Sequence, residues 1–274
     1  MQLHLTAGVR RVLTVAVFAA MPAFTVLAAE APKATISATT PAPPAPRDAN
    51  GKLYISGVPG KKPGLWIAAG TANIGAIDDK NIAFKPWAKG LYDSRASQSL
   101  EPHTRCKPSG GFRQFLTPYG VEILDMPEMK QILIFDVGGP HSFRTIYMDG
   151  RPHPADLEPT YYGHSVGHWE RDTLVIDTVG YNTGFWFDRT GLPYTEAAHT
   201  TEYLARLDQN AMDYRFVLTD PQTYDAPVEG HIRLRWGADE ELFEYVCQQS
   251  NYAPELMVDK KNLNAVGKSS RIIP

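Results

Sequence analysis

The chain has only two cysteines in 274 residues, which narrows the sites it can contain. Cys106 and Cys247 stand too far apart for a CxxC redox motif and are too few for a cysteine-rich metal site. In an exported chain, which meets an oxidising compartment, a disulfide between them is the simplest interpretation. Two buried free thiols are the alternative that the sequence leaves open.

The sequence also lacks the motifs of several large protein classes. No GxSxG elbow, phosphate-binding P-loop or GxGxxG after a predicted strand occurs, so nothing supports a serine hydrolase, an ATPase or a dinucleotide enzyme. Lysine and arginine form no basic stripe, and the formal net charge is −3, so we expect no nucleic-acid partner. We also expect no cofactor.

Long apolar runs are scarce, and the one that occurs lies at the N-terminus. Arg10 and Arg11 precede an apolar region over residues 12–27, and small residues follow, as in a secretory signal peptide. We therefore predict cleavage of residues 1–29, with an uncleaved membrane anchor as the alternative. Loss of the two arginines takes the net charge from −3 to −3 − 2 = −5. No second apolar stretch of about 18 residues follows, so we expect a periplasmic or secreted protein without a membrane span.

Strand and turn signals dominate the remainder of the chain. The 22 glycines, 22 prolines and 11% aromatic residues favour strands joined by turns. We predict a mainly β fold, an antiparallel meander that closes into a lipocalin-like barrel or a strongly curved sheet, with a short C-terminal helix within residues 253–267. The predicted regions are a Pro/Ala-rich flexible linker (30–50), a Gly-rich lead-in with one short helix (51–105) and the barrel domain (106–274).

The segment GHSVGHWERDTLVIDTVGY, residues 163–181, predicts a β-hairpin that carries polar side chains on one face. Side chains alternate between the faces of a strand, and a turn at Arg171-Asp172 fixes the register. That register puts His164 and Asp177 on the same face as diagonal neighbours. If this face lines a barrel interior, the pair can act as a general acid–base dyad. If it faces water, both are ordinary surface residues.

Further candidates come from the polar residues around this hairpin. We predict four residues with catalytic roles, His164, Asp177, Asp188 and His199, and four that bind substrate, Arg144, Tyr162, Trp186 and Glu202. A turn role for Asp188 and a surface role for Arg144 are the simpler alternatives. A metal held by His164, His199 and a carboxylate is also possible, although our prediction includes no metal.

Several motifs resemble those of a widespread group of exported bacterial proteins of uncharacterised function. They are NGKLYISGV, PHTRCKPSG, IYMDGRPHP, YYGHSVGHWERDTLVIDTVGYN, GLPYTEAAHTTEY and LTDPQTY, across residues 48–250. Members of that group usually have glycine where Arg171 stands and often arginine at the position of His168. The resemblance implies an exported single domain and favours His164 and Asp177 over His168 as functional residues.

Two functions fit these observations best, and a third, a structural or envelope-interaction protein with the polar residues on its outer face, also stays open. The first is an exported enzyme that uses His/Asp acid–base chemistry in a barrel cavity. We favour a cofactor-free lyase, decarboxylase or isomerase that acts on a small, partly apolar or aromatic molecule, because the chain lacks a covalent-nucleophile motif. The second is a periplasmic lipocalin-like binding protein that holds a hydrophobic ligand without turnover.

Overall fold

The computed structural model describes residues 42–58, 60–61, 64–69, 76–98 and 101–248. The predicted signal peptide, residues 30–41 of the linker and the predicted C-terminal helix lie outside these ranges. Among the described residues, no helix has the length and apolar character needed to cross a membrane.

Nine strands form a closed barrel in chain order, and β1 pairs with β9. The strands are β1 (Gly64–Ala68), β2 (Val121–Met126), β3 (Gln131–Asp136), β4 (Phe143–Tyr147), β5 (His164–Glu170), β6 (Thr173–Val179), β7 (His199–Arg206), β8 (Ala211–Thr219) and β9 (Val228–Ala238). The described ranges also contain one α-helix, α1 (Pro86–Gln98), and four short 3₁₀ helices (Asp79–Asn81, Pro102–Arg105, Gly111–Leu116, Pro127–Met129). The predicted barrel and the predicted short helix in the lead-in are confirmed.

One neighbour pair in the barrel, β4 with β5, is parallel, whereas the others are antiparallel. If the direction of nine strands alternates strictly, the first and the last strand run the same way. A closed ring of nine strands therefore needs at least one parallel pair. A parallel pair also requires the chain to cross back from one end of the barrel to the other. Residues 148–163 make this crossover, and they bring His153 against the outer wall.

The predicted hairpin is β5–β6, and its register is as expected. The pairs include Glu170 with Thr173, Trp169 with Leu174, His168 with Val175 and Val166 with Asp177. Arg171, in the turn, has φ of 55°, in the left-handed region that glycine occupies most readily.

Two of the predicted regions differ from the structure. The lead-in contributes β1, which closes the barrel between β2 and β9. Residues 42–50, expected to belong to a flexible linker, lie on the barrel, where Arg47 donates to Asp172 at 2.6 and 2.8 Å.

Aromatic side chains fill the barrel interior. The 3₁₀ helix Gly111–Leu116, which we call the plug helix, has all six residues buried. Its Phe112 ring stacks between Phe187 and Phe216, with ring centroids 4.7 and 3.9 Å apart. Stacked rings of this kind add to the burial of apolar area. Over the described residues, buried side chains therefore pack the interior where we expected a cavity.

The predicted disulfide between Cys106 and Cys247 is present, with Cα atoms 5.6 Å apart. It joins the segment before the plug helix to the chain after β9. A disulfide that closes a loop of this length restricts the unfolded state, which stabilises the fold by about 4–5 kcal/mol in the chain-entropy account.

Candidate functional site

Three histidines and one aspartate meet on the outer wall of the barrel. Asp177 accepts hydrogen bonds from His199 Nε2 at 2.5 Å and from His153 Nε2 at 2.8 Å, one on each carboxylate oxygen. His153 Nδ1 lies 2.8 Å from His164 Nδ1. We call this chain, His164–His153–Asp177–His199, the relay cluster.

Strand alternation places the relay cluster outside the barrel. On β6, Leu174, Ile176 and Thr178 are fully buried and point inward, whereas Asp177 points outward with a side chain 34% exposed. His164 points outward from the start of β5. Our expectation of a catalytic face inside a barrel cavity is therefore wrong, because the core uses the opposite face of the hairpin.

His199 starts β7, which pairs with β6 so that Thr201 opposes Asp177. Because side chains two apart share a face, His199 lies diagonally next to Asp177 on the outer wall. Its side chain is 44% exposed. Two of the predicted catalytic residues are thus in direct contact, and the third, His164, is linked to them through His153.

His153 was not among the predicted site residues. It lies in the crossover, in the sequence RPHP, where neither strand nor helix periodicity marks it. The expected contact between His164 and Asp177 is replaced by this intervening imidazole. Only an indirect signal for His153 exists. A parallel strand pair requires a long crossover segment, and such a segment passes over the neighbouring strands.

Hydrogen bonding assigns the protons in the relay cluster. An ionised carboxylate only accepts, so His153 Nε2 and His199 Nε2 each carry a hydrogen. When His153 is neutral, its Nδ1 accepts a hydrogen bond from His164 Nδ1–H. This arrangement leaves His164 Nε2 as an acceptor.

The surroundings shift the pKa values of the two terminal histidines, His164 and His199, in opposite directions. Burial opposes ionisation of Asp177, but the hydrogen bonds from His199 and His153 outweigh it and hold the pKa of Asp177 below its usual value. The hydrogen bond to Asp177 raises the pKa of His199. Burial, with the charges of His153 and Arg151, lowers the pKa of His164. One end of the cluster therefore favours the protonated imidazole, and the other favours the neutral one.

The wall around the cluster is partly apolar and partly charged. The ring of Tyr147 stacks on His164 with centroids 5.1 Å apart, and the Arg151 guanidinium lies 4.0 Å from the Tyr147 ring centroid. Val166 and Val179 share the outward face and oppose Asp177 and His164 in the β5–β6 ladder.

Asp188, the fourth predicted catalytic residue, lies elsewhere and shapes a loop. Its carboxylate accepts hydrogen bonds from the Gly191 and Leu192 amides at 2.9 and 2.7 Å, and from the Thr190 hydroxyl. These contacts match the turn role that was the simpler alternative.

Two predicted substrate-binding residues pair with each other inside the barrel. Arg144 donates to both carboxylate oxygens of Glu202, at 2.7 and 3.0 Å, and the Tyr214 hydroxyl donates to Glu202 at 2.5 Å. Both charged side chains are at most 1% exposed. The structure does not bring them to the relay cluster, because on β7 Glu202 points inward and His199 outward.

The other predicted binding residues are also dispersed. The Tyr162 hydroxyl lies 2.7 Å from Ser142 Oγ, and Trp186 packs under the Arg95 guanidinium, 5.1 Å from its ring centroid. His168, which the resemblance disfavours, is exposed and lies 3.2 Å from Glu170.

Over the part of the chain that the structure describes, no group of three or more His, Cys, Asp or Glu side chains has a geometry suited to a metal ion. In the relay cluster, both ring nitrogens of His153 already face hydrogen-bond partners.

No protein family, curated protein or solved structure matches the chain significantly. The resemblance to exported bacterial proteins therefore stays a prediction from sequence motifs.

Proposed function

We propose that the protein is an exported enzyme that transfers protons to and from a small molecule at the relay cluster. The observation that carries this proposal is the shared carboxylate of Asp177, which hydrogen-bonds two imidazoles on a solvent-accessible wall. A carboxylate that orients an imidazole, and stabilises it when protonated, is the standard support for a histidine that moves a proton. Export is supported by the disulfide, since disulfides persist in oxidising compartments.

Within this proposal, His199 acts as the general acid and His164 as the general base. Titratable neighbours whose pKa values move in opposite directions are suited to opposite roles in acid–base catalysis. Asp177 raises the pKa of His199, so a larger fraction of His199 carries the proton to be donated. His164 is more readily neutral, and its Nε2 lone pair accepts a proton from substrate. His153 and Asp177 orient the two imidazoles, and exchange with solvent on this accessible wall resets the proton on each imidazole after a turnover.

The surroundings support a small substrate with an apolar or aromatic part. Val166, Val179 and the Tyr147 ring supply apolar contact beside His164, and Arg151 adds a cation close to that ring. We propose a lyase, decarboxylase or isomerase that needs no cofactor, since each of these reactions can proceed by proton transfer between a positioned acid and base.

The test uses purified mature protein with extracts of periplasm and culture medium, and follows compounds by mass spectrometry. His164→Gln and His199→Gln should each slow the conversion about 10²–10⁴-fold, the usual contribution of one general acid or base. The matched control is His168→Gln, an exposed histidine on the same face of β5 that contacts Glu170 instead of the cluster.

The proposal predicts a compound that changes mass with the parent protein and with His168→Gln, but not with the two cluster variants. Equal conversion by all four proteins would refute a catalytic role for the cluster. A compound that co-purifies unchanged with all four would support a binding protein without turnover instead.

A further inference from the structure

A groove next to the disulfide is separate from the relay cluster. It encloses about 350 Å³, within the range of small-molecule pockets of roughly 300–1,000 Å³. Its lining comes from three parts of the chain: the segment before β2, with His103 and Tyr119; the residues after β3, with Gly139; and the segment after β9, with Phe243, Tyr245 and Cys247. None of these residues belongs to the relay cluster.

Aromatic rings form much of the groove. Tyr119, Phe243 and Tyr245 are each at least 50% exposed, although large apolar side chains are usually better covered. The rings of Phe243 and Tyr245 each pack against the ring of His141, with centroids 5.3 Å apart. A flat aromatic molecule between these rings would remove apolar surface from water on both sides.

Among the residues that the structure describes, the lining contains no Asp, Glu, Lys or Arg side chain. His103 is the one titratable imidazole in it, and burial, with the charges of Arg113 and Arg189, lowers its pKa to about 4. Its Nδ1 lies 2.8 Å from Ser109 Oγ, which fixes the orientation of the ring. The groove is therefore uncharged near neutral pH, and a charged ligand would lose hydration there without gaining an ionic partner.

The backbone of the groove is shaped for close contact. Gly139 has φ of 64°, and a Cβ atom there would lie 2.5 Å from the His103 ring. Cys106 and His141, which lie next to the lining, also have positive φ values of 58° and 50°. Left-handed backbone at residues other than glycine costs free energy and often occurs at ligand sites.

We propose that this groove binds an uncharged aromatic small molecule and that the Cys106–Cys247 disulfide holds one of its walls in place. Residues 241–248 have no regular secondary structure, and the disulfide ties them to the segment that carries His103. Without that bond, Phe243 and Tyr245 lose their covalent anchor to the rest of the groove. This site goes beyond the proposed acid–base function and does not depend on it.

The first experiment is a fluorescence titration with N-phenyl-1-naphthylamine, an uncharged probe, beside 8-anilino-1-naphthalenesulfonate, a similar probe with a negative charge. We expect saturable binding of the uncharged probe at one site and weaker binding of the anion. Phe243→Ala and Tyr119→Ala should each weaken the uncharged probe roughly fivefold or more, the scale of one lost aromatic contact. Leu207→Ala, which removes an exposed apolar side chain outside the lining, is the matched control and should bind as the parent does.

The second experiment compares the parent with a Cys106→Ser/Cys247→Ser variant whose fold is verified by circular dichroism. We expect the folded variant to bind the uncharged probe at least as weakly as Phe243→Ala. Unchanged binding in that variant would overturn the proposed wall. Equal affinity for the two probes, or an equal effect of Leu207→Ala, would show general surface adsorption and overturn the site. Sedimentation that reveals a dimer abolished by Phe243→Ala would also overturn it, by assigning the groove to contact with a second copy.

Discussion

The buried ion pair between Arg144 and Glu202 offers the sharpest test of the barrel interior. Glu202→Gln keeps the shape of the side chain and removes its charge. The Arg144 guanidinium then remains inside the barrel with no carboxylate partner, and its Nε already lacks a hydrogen-bond acceptor among the described residues. Breaking one side of a buried pair costs about 3–5 kcal/mol, because the remaining charge stays desolvated.

That loss is large against a total stability of about 5–15 kcal/mol for a typical domain. Urea unfolding, followed by circular dichroism, measures it directly as a shift in the midpoint at constant slope. A triple variant, Arg144→Met/Glu202→Leu/Tyr214→Phe, removes all the polar partners together, and we expect it to recover most of the stability. Arg215→Met, which disrupts an exposed pair with Glu229, should cost at most about 1 kcal/mol.

A cost below about 1 kcal/mol for Glu202→Gln would refute the assignment of a desolvated pair, since that is the scale of an exposed ion pair. The same experiment separates a structural from a binding role for Glu202. A residue that only contacted substrate would alter turnover and leave the urea midpoint unchanged.

Three further predictions concern single side chains. Asp177→Asn should lower the pKa of His199, measured by NMR titration of the imidazole, because the hydrogen bond that raises it is weakened; an unchanged titration would contradict the cluster geometry. Arg171→Gly should raise the unfolding free energy by roughly 0.5–1 kcal/mol. The substitution removes the strain of a left-handed backbone at a residue with a Cβ atom, and the larger entropy of glycine in the unfolded chain offsets part of that gain. Burial raises the pKa of the Asp136 carboxyl from its ordinary value of 3.8 to about 8. Between these two pH values, the folded protein keeps a proton that the unfolded chain has already released. The unfolding free energy should therefore fall as pH rises between those values, and in Asp136→Asn, measured by urea unfolding across pH, that fall should be smaller.

The hairpin shows what short-range sequence patterns determine. A two-residue turn and an alternation of period two are sufficient to fix which residues of β5 and β6 face each other. The same pattern does not determine which face is buried. Val175 and Val179 on one face and Leu174 and Ile176 on the other are similarly apolar, so the residues of the hairpin alone do not decide which face is buried.

Contacts between distant parts of the chain explain the remaining errors. Arg144 and Glu202 are 58 residues apart and lie on strands that are not neighbours in the barrel, so nothing local pairs them. His153 joins the relay cluster only because β4 and β5 run parallel and the chain must cross between their ends. The disulfide was predictable because two cysteines allow one intramolecular pairing.

The filled interior accounts for the position of both candidate sites. The Phe112 stack and the Arg144–Glu202 pair occupy the space where a lipocalin-like barrel would hold its ligand. A substrate must reach the groups that exchange protons with it, and over the described residues a packed interior leaves the outer wall and the ends of the barrel for such contact. The crossover that makes nine strands close supplies His153 to the wall, and the disulfide-tied segment after β9 supplies the aromatic rings of the groove. Each candidate site is thus built by a chain segment outside the antiparallel meander, against a barrel whose own inward side chains serve packing.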